Sequence, residues 1–415
     1  MTTRSKPVQD AARKAYDDWL AGRHGPALDD LAAATRGGDL ASASVLLTLA
    51  GQPEAPEGAT DAARKAIEDA PAGAVIHRHH AFLLASGYGG KTDIDQALAL
   101  RLGDAEDGDM QALTELALLA LWAGEDTIAE KALIRAANEG QAHAIAALLR
   151  LGFQRGHVPG VAHAKAPALA RSGHPLGAAF EATTADLEVR ELADADTIPD
   201  LDETAIAAIS RWLPGAPEET RVLSEDPPVA RAPHFMPPAI CDYLVANAAP
   251  HLQPARILDP GTGESREDPY RNSLTASLPD GVFDIVLWAI KARMAALAGC
   301  GYEQGEALSV LAYRPGDAYK PHFDYMTADD GPVSADLDRR GQRIATTLIR
   351  LNDGFEGGAT VFPKLDLNWA GAPGEALTFA NVHSDGTGDD RTLHSGEEVT
   401  RGLKLLASLW LRERA

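Results

Sequence analysis

A glycine recurs at nearly constant spacing through the first half of the chain. The positions are 38, 73, 108, 140 and 173, so successive glycines lie 35, 35, 32 and 33 residues apart. Most of them follow one alanine-rich stretch of helical periodicity and precede another. Glycine closes a helix by adopting the left-handed conformation, and alanine and leucine at helical spacing let two helices pack closely. The pattern predicts helical hairpins that stack into an α-solenoid; an ordinary alanine-rich helical bundle is the alternative.

The chain of 415 residues is long enough for two or three domains. An acidic, proline-rich stretch follows the repeats and carries one predicted short helix, Glu203–Trp212. Apolar runs separated by Gly, Asp and Pro then predict a β-rich sandwich or barrel; they cover 308–313, 344–351, 376–379 and 403–411. We expect helices over 239–249 and 282–298 to support one face of its sheet. The fold class is therefore multidomain α + β, and the predicted domain ranges are 1–190, 191–224 and 225–415.

Charge and cysteine content exclude several classes of function. Lys and Arg number 38 against 60 Asp and Glu, a net charge of −22, which disfavours nucleic acid and anionic membranes as partners and favours a neutral or basic substrate. The two cysteines, Cys241 and Cys300, cannot form a disulfide framework or a cysteine zinc cluster, and their redox role stays open. We read no signal peptide and no membrane-spanning stretch, so we expect a cytoplasmic protein.

Three histidines of the repeat region, His77, His79 and His80, fall on one predicted helix. Adjacent helical residues point in different directions, so the three imidazoles cannot all face one metal ion. We interpret them as part of a solvated helix face; a metal site is the alternative.

The β-rich half contains a candidate metal motif at His322 and Asp324. Residues i and i+2 of a strand point to the same side, so an imidazole and a carboxylate would converge. A second histidine, His383 or His394, would complete a 2-His-1-carboxylate triad. Such a triad leaves positions open on Fe(II) for a cosubstrate and dioxygen.

A lysine stands in the most apolar predicted strand of the chain. Alternation places Lys404, Leu406, Ser408 and Trp410 on one face of this strand. A lysine that points into a core is unfavourable unless it meets an anion, and a dicarboxylate cosubstrate would supply one. The alternative is a lysine that extends from the strand end to water.

The order of motifs after residue 308 closely resembles the 2-oxoglutarate/Fe(II)-dependent oxygenases of the prolyl 4-hydroxylase type. The matching segments are Tyr313-Arg314-Pro315-Gly316, His322-Phe323-Asp324-Tyr325, Gly341-Gln342-Arg343-Ile344-Ala345-Thr346, Gly357-Gly358-Ala359-Thr360-Val361-Phe362-Pro363, Gly374-Glu375-Ala376-Leu377-Thr378-Phe379, and Leu393-His394-Ser395-Gly396 with Lys404 ten residues after His394. A weaker match reaches upstream to Arg271-Asn272-Ser273. The repeat region resembles Sel1-like or tetratricopeptide repeats.

The resemblance implies a double-stranded β-helix, a jelly roll, and a set of site residues. His322, Asp324 and His394 would be the catalytic iron ligands, and His394 is preferred to His383 because it stands ten residues before the strand lysine. Lys404 and Tyr313 would bind the distal carboxylate of 2-oxoglutarate, and Thr346 would line the same pocket.

Two further residues are candidate substrate contacts by the same resemblance, namely Tyr325 and Arg271. The implied cofactors are Fe(II), 2-oxoglutarate and dioxygen, and the resemblance also allows ascorbate. The implied activity is hydroxylation of an unactivated C–H bond, first of all in a prolyl residue of a peptide or protein that the helical repeats would present. Hydroxylation of a free amino acid or small molecule, and a non-catalytic repeat scaffold or sensor, are the alternatives.

Overall fold

The computed structural model describes residues 6–193, 197–213, 215, 219–258, 265–267, 272–327 and 332–415. The first part of the chain is helical apart from two short strands. Its elements are α1 Lys6–Leu20, α2 His24–Arg36, α3 Leu40–Ala50, α4 Ala59–Glu68, α5 Ala74–Ser86, α6 Ile94–Glu106, α7 Met110–Trp122, α8 Asp126–Asn138, α9 Ala142–Arg155, β1 His157–Val158, α10 Gly160–Arg171, α11 Gly177–Thr184, β2 Glu188–Val189 and α12 Glu203–Trp212.

Among the described residues, the second part combines strands with three α-helices. Its elements are β3 Arg221–Glu225, β4 Pro228–Ala232, α13 Pro238–Ala248, β5 Gln253–Pro254, β6 Arg256–Leu258, β7 Ser265–Glu267, β8 Leu274–Leu278, α14 Ile285–Leu297, β9 Leu308–Tyr313, β10 Tyr319–His322, α15 Pro332–Arg340, β11 Arg343–Arg350, β12 Glu356–Gly357, β13 Thr360–Phe362, β14 Leu367–Trp369, β15 Ala376–Ala380, β16 His394–Gly396, β17 Val399–Arg401 and β18 Lys404–Arg412.

The recurrent glycines end helices, as the sequence predicts, in four of five cases. The backbone φ angles of Gly38, Gly108, Gly140 and Gly173 are +89°, +99°, +88° and +82°, the left-handed values that glycine adopts without strain. Gly73 differs, because it stands in extended backbone directly before α5. Successive helices pack on one another, α2 on α3, α5 on α6 and α7 on α8. Helical hairpins are thus confirmed, whereas their assignment as Sel1-like repeats stays a prediction.

An aspartate after two of these glycines begins the next helix. The Asp39 side chain accepts a hydrogen bond from the backbone N–H of Ala41, and Asp109 accepts one from Gln111. These N-caps satisfy backbone donors that would otherwise lack partners. The connections from α2 to α3 and from α6 to α7 are therefore only three residues long, and each ends with a Gly-Asp pair.

The chain folds into two compact units that alternate along the sequence. The helical unit comprises 1–144, 192–213 and 279–289, and the sheet unit comprises 145–191, 214–278 and 290–415. The helix predicted at Glu203–Trp212 forms with those bounds as α12. It packs against α6 and α7, so the stretch that we predicted as a linker contains a packed helix. The domain ranges 1–190, 191–224 and 225–415 stay a prediction.

The sheet unit is built on a large and a small antiparallel sheet. The eight-stranded sheet has the order β3-β4-β15-β11-β18-β9-β8-β5, and the four-stranded sheet has the order β10-β16-β13-β14. Strands of the two sheets share one apolar core of buried residues, Val229, Leu311, Tyr313, Leu348, Phe362, Trp369, Leu377, Phe379, Val399 and Leu406. This arrangement confirms the predicted double-stranded β-helix. Helix α14 supports the large sheet, since the hydroxyl of Thr347 on β11 donates to the carbonyl of Met294 at 3.0 Å.

No helix among the described residues is both long enough and apolar enough to cross a membrane.

Candidate metal centre

The register of the small sheet brings two histidines together. Strand β10 ends at His322, β16 begins at His394, and these two residues are direct partners in the antiparallel pair. Asp324 follows in a bend just after β10, so the bend, and not the strand alternation that we expected, turns its carboxylate towards the imidazoles. The potential ligand atoms of His322, Asp324 and His394 all lie within 4.8 Å of one another. Within the described part of the chain, this is the one such group of three or more residues.

Each imidazole is oriented by its own backbone. His322 Nδ1 lies 2.8 Å from the carbonyl oxygen of Lys320, and His394 Nδ1 lies 3.0 Å from that of Thr392. A carbonyl can only accept, so both Nδ1 atoms carry a proton, and each Nε2 presents a lone pair when its ring is neutral. The Nε2 atoms lie 3.6 and 3.7 Å from the two carboxylate oxygens of Asp324. Two neutral imidazoles and one carboxylate form the donor set that non-haem Fe(II) takes in a facial triad, so the residues fit this metal.

The carboxylate of Asp324 is held by a chain of two hydrogen bonds. The Thr346 hydroxyl donates to Asp324 Oδ2 at 2.7 Å, and the Asn381 amide donates to the Thr346 oxygen at 3.0 Å. Burial alone would raise the pKa of Asp324, but the positive charge of the two histidines, when they are protonated, and the Thr346 hydrogen bond outweigh it, and the pKa is lowered. The carboxylate therefore stays ionised and keeps one orientation.

Aromatic rings enclose the two histidines. Tyr319 stacks on His322 with ring centroids 3.5 Å apart, whereas Phe362 and Phe379 contact His394 with centroids 5.2 and 4.9 Å away. Packing of this kind restricts the rotation of the imidazoles. Tyr319 was not among the predicted site residues; its position three residues before His322 is the signal that could have found it.

Lys404 is buried in the same part of the sheet unit. It pairs in register with Tyr313, its Nζ donates to the carbonyl of Gly358 at 2.7 Å, and the ammonium lies 5.0 Å from the Tyr313 ring centroid. Burial, assisted by Arg350, lowers the pKa of Lys404 to about 8. The side chain of Lys404 is buried, so the alternative of a lysine that extends from the strand end to solvent is wrong.

Gly358 leaves room for this lysine. Its φ is +68°, and an added Cβ would lie 2.9 Å from Val399 Cγ2 and 3.0 Å from Lys404 Cδ. Only glycine combines the left-handed backbone with such close neighbours. The second glycine of the Gly-Gly motif thus shapes the wall against which Lys404 lies.

A cavity of about 580 Å³ joins the histidines and the lysine. Its walls include His322, Asp324, His394, Tyr313 and Lys404. A cavity of this size accommodates a small dicarboxylate and part of a second molecule.

The remaining predicted residues are placed differently. Thr346, predicted to line the cosubstrate pocket, is fully buried and contacts Asp324 instead. Tyr325 lines the cavity and its hydroxyl donates to Asp390 at 3.0 Å; burial, with that bond, raises the pKa of Tyr325 to about 12. His383, the alternative ligand, lies 3.3 Å from Asp389 and outside the metal group. Arg271 lies outside the described residues.

Comparison with known proteins agrees with this geometry. Residues 308–412 match the sequence profile of the 2OG-Fe(II) oxygenase superfamily. The chain is 33% identical to prolyl 4-hydroxylase 1 of Arabidopsis thaliana over 50% of its own length and 79% of that protein. It is 32% identical to probable prolyl 4-hydroxylase 3 of the same plant over 46% and 71% of the two chains. Among solved structures, a viral collagen prolyl hydroxylase from Paramecium bursaria Chlorella virus-1 is 25% identical, with a TM-score of 0.35, over 44% of this chain and 95% of the other.

The chain belongs to the prolyl 4-hydroxylase-like 2OG-Fe(II) oxygenases. Enzymes of this superfamily need Fe(II), 2-oxoglutarate and dioxygen, and the His322–Asp324–His394 group is the matching site in this structure.

Proposed function

We propose that this enzyme hydroxylates a prolyl residue in a peptide or protein. The observation that carries the proposal is the convergence of two oriented histidines, an ionised aspartate and a buried lysine in one cavity. The names of the relatives, prolyl 4-hydroxylases, support proline as the target. An intact ligand set also argues against a non-catalytic scaffold.

Each residue of the site has a defined task in this proposal. His322, Asp324 and His394 would hold Fe(II) through Nε2, a carboxylate oxygen and Nε2. Fe(II) held there would supply the redox chemistry by which 2-oxoglutarate and dioxygen give succinate, carbon dioxide and one oxygen atom for the substrate C–H bond. The apolar and aromatic walls keep bulk water away from the reacting atoms.

Lys404 and Tyr313 bind the cosubstrate rather than transfer protons. The Lys404 ammonium donates a charge-assisted hydrogen bond to the distal carboxylate of 2-oxoglutarate, and the Tyr313 hydroxyl donates to the same group. The Gly358 carbonyl fixes the direction of the ammonium. By the family resemblance, Tyr325 at the cavity wall and Arg271, which lies outside the described residues, would contact the substrate.

Succinate formation tests the proposal directly. The full-length protein, loaded anaerobically with Fe(II), receives 2-oxoglutarate, dioxygen and a ten-residue oligoproline peptide, and succinate and hydroxyproline are measured. We expect both products, and neither with Asp324→Ala. Succinate equal to that of Asp324→Ala would contradict the oxygenase activity; hydroxylation of free L-proline but not of the peptide would contradict the peptide substrate.

We further propose that the helical unit presents the substrate polypeptide. Stacked helical hairpins expose extended surfaces that commonly bind peptides, and this unit is built of such hairpins. Hydrogen exchange of the full chain with and without oligoproline provides the test. Slower exchange of amides in α2–α8 is expected on peptide binding, and unchanged exchange there would remove the helical unit from substrate binding.

A further inference from the structure

Three serine hydroxyls form a row across the large sheet. Ser408 on β18 pairs with Ser309 on β9, and Ser309 pairs with Ser277 on β8. All three line the cavity of the metal centre, and the hydroxyl oxygens of Ser277 and Ser309 lie 3.2 Å apart. Direct partners in neighbouring antiparallel strands point to the same face of the sheet. The strand register therefore brings these three serines together, although they are far apart in the sequence.

The row begins beside the metal centre. The next residue of β18 on this face after Ser408 is Trp410, which pairs with Thr346, whose hydroxyl holds Asp324. Ser408 is more than nine-tenths buried at the inner end of the row, whereas Ser277 at the outer end is exposed. The hydroxyls therefore lead from the side of the metal-ligand group outwards in the direction of the sheet edge.

The row lies beyond the reach of the cosubstrate. Lys404 and Ser408 are four strand residues apart, about 13 Å at roughly 3.3 Å per residue. 2-Oxoglutarate has four carbon–carbon bonds of about 1.5 Å each, so it spans at most about 6 Å. A cosubstrate anchored at Lys404 thus leaves the hydroxyl row to another molecule.

The chemistry of the row selects for uncharged hydrogen-bonding groups. A hydroxyl donates and accepts, and it carries no charge. Leu311 and Leu406 flank the row on one side, and Trp410 flanks it on the other. The nearby Arg343 is paired with Glu306 at 2.8 Å and lies over the Trp410 ring. A polypeptide fits this surface, because its main chain offers uncharged polar groups to the hydroxyls and its apolar side chains can contact the flanking residues.

The length of the row matches a short extended peptide. Neighbouring strands are about 4.8 Å apart, so the three hydroxyls extend over about 10 Å, and an extended chain covers this distance with about three residues. We propose that Ser277, Ser309 and Ser408 form a substrate subsite that binds main-chain carbonyls of the polypeptide next to the target residue. This inference rests on the proposed function, since it names how the same site holds its substrate.

Peptide binding to the full-length, metal-free protein tests the subsite without turnover. The probe is the ten-residue oligoproline, whose main chain offers carbonyl acceptors and no N–H donors, and calorimetry measures its dissociation constant. The variant Ser277→Ala/Ser309→Ala removes two hydroxyls at little change in volume. The loss of two ordinary hydrogen bonds predicts a dissociation constant raised roughly tenfold to a hundredfold.

A matched variant and a second measurement separate binding from folding. Ser224→Ala removes a hydroxyl from β3, at the opposite end of the same sheet, and should bind oligoproline like the wild type. The KM for 2-oxoglutarate in peptide-free succinate formation should be unchanged in the double variant.

Two results would overturn the subsite: no binding of oligoproline by the wild type, or equal binding by the wild type and the double variant. Binding that depends on the serines without any succinate above Asp324→Ala would instead keep the subsite and contradict the oxygenase activity.

Discussion

Both units bury a cluster of charged side chains, but the two clusters are organised in opposite ways. In the helical unit, Arg101 is fully buried and donates to Glu115 at 3.1 Å and to Asp104 at 2.6 Å. In the sheet unit, the lone pairs of His322 and His394 converge with the carboxylate of Asp324. The first cluster contains its own cation at the centre. The second turns acceptor atoms towards a shared point, which is the arrangement that a metal ion completes.

The difference distinguishes a structural brace from a binding site. A buried ion pair is satisfied by the chain itself, and removal of one partner leaves an uncompensated charge. Convergent acceptors are satisfied by a ligand, so their disruption changes ligand affinity before it changes folding. Substitutions in the two clusters should therefore differ in whether they change stability or ligand affinity.

Replacement of the central cation should destabilise the helical unit most. Arg101→Met leaves the carboxylates of Glu115 and Asp104 buried without the cation that neutralises them, and we expect a loss of about 3–5 kcal/mol in the local free energy of unfolding. Native-state hydrogen exchange of amides in α6 and α7 measures it. The loss should be smaller at pH 6 than at pH 8, because burial raises the pKa of Glu115 to about 7 and its protonation removes the unpaired charge.

Arg135→Met provides the control, since Arg135 is exposed on α8 and should change stability by less than about 0.5 kcal/mol. Equal exchange rates in the Arg101 and Arg135 variants would show that the buried cluster does not brace the unit.

Removal of the Thr346 hydroxyl should weaken the metal site without unfolding it. Thr346→Val keeps the shape of the side chain but leaves Asp324 Oδ2 without its donor. Loss of such a supporting hydrogen bond typically lowers metal affinity tenfold to a hundredfold. Titration of the metal-free protein with Co(II), followed by absorbance, gives the affinity. Thr346→Ser restores the donor and should bind Co(II) within about threefold of the wild type; equal weakening in both variants would mean that shape, and not the hydroxyl, matters.

Crowding of the lysine should weaken cosubstrate binding while metal affinity is kept. In Gly358→Ala the new Cβ would lie too close to Lys404 and Val399, so the lysine side chain must move. The KM for 2-oxoglutarate should then rise about tenfold, which corresponds to the loss of the charge-assisted hydrogen bond from Lys404. Gly354→Ala is the matched variant, because Gly354 is also left-handed, at φ +78°, but an added Cβ meets no atom within 4 Å. A similar KM in the two variants would attribute the effect to backbone strain alone.

The smallest effect should appear as a pH dependence of cosubstrate affinity. The pKa of Lys404 is lowered to about 8 in the protein without cosubstrate, so the cation that attracts the carboxylate is present below pH 7 and is lost as the pH rises through 8. The KM for 2-oxoglutarate should therefore increase roughly threefold to fourfold between pH 7 and 8.5. Lys404→Arg stays charged over this range and should show a flat profile, whereas parallel profiles would exclude Lys404 as the titrating group.

The sequence predicted the residues of the metal centre better than the way they meet. The spacing of His322 and Asp324 made them candidates, and the family resemblance selected His394 over His383, but the strand ends at His322 and a bend positions Asp324. The role of Thr346 depends on the pairing of β11 with β15 and β18, which includes a register shift between Arg343 and Ala345. Such irregularities arise from turns and bulges far along the chain, so the serine row and the Asn381 bond could not be read from sequence.

The burial of the histidines on α5 also could not be predicted from the local sequence pattern. The interpretation of the histidines on α5 as a solvated face is wrong for His79, whose side chain is almost fully buried with Nε2 3.2 Å from the Ser44 hydroxyl. His77 is half-buried and lies 2.6 Å from Asp104. A helix inside a stack of hairpins is covered on more than one side, and the sequence of a single helix does not show which neighbours cover it.

The alternation of the two units along the chain limits how this enzyme can change by recombination. The helical unit takes up residues 279–289, which stand between segments of the sheet unit, and α14 begins in one unit and ends in the other. Phe283 from this segment packs edge-on against Phe82 of α5, with ring centroids 5.8 Å apart. A single crossover at residue 190 would therefore give a descendant that lacks part of each unit. Exchange of a whole half with another gene would thus divide both compact units, whereas substitutions within the cavity leave both intact.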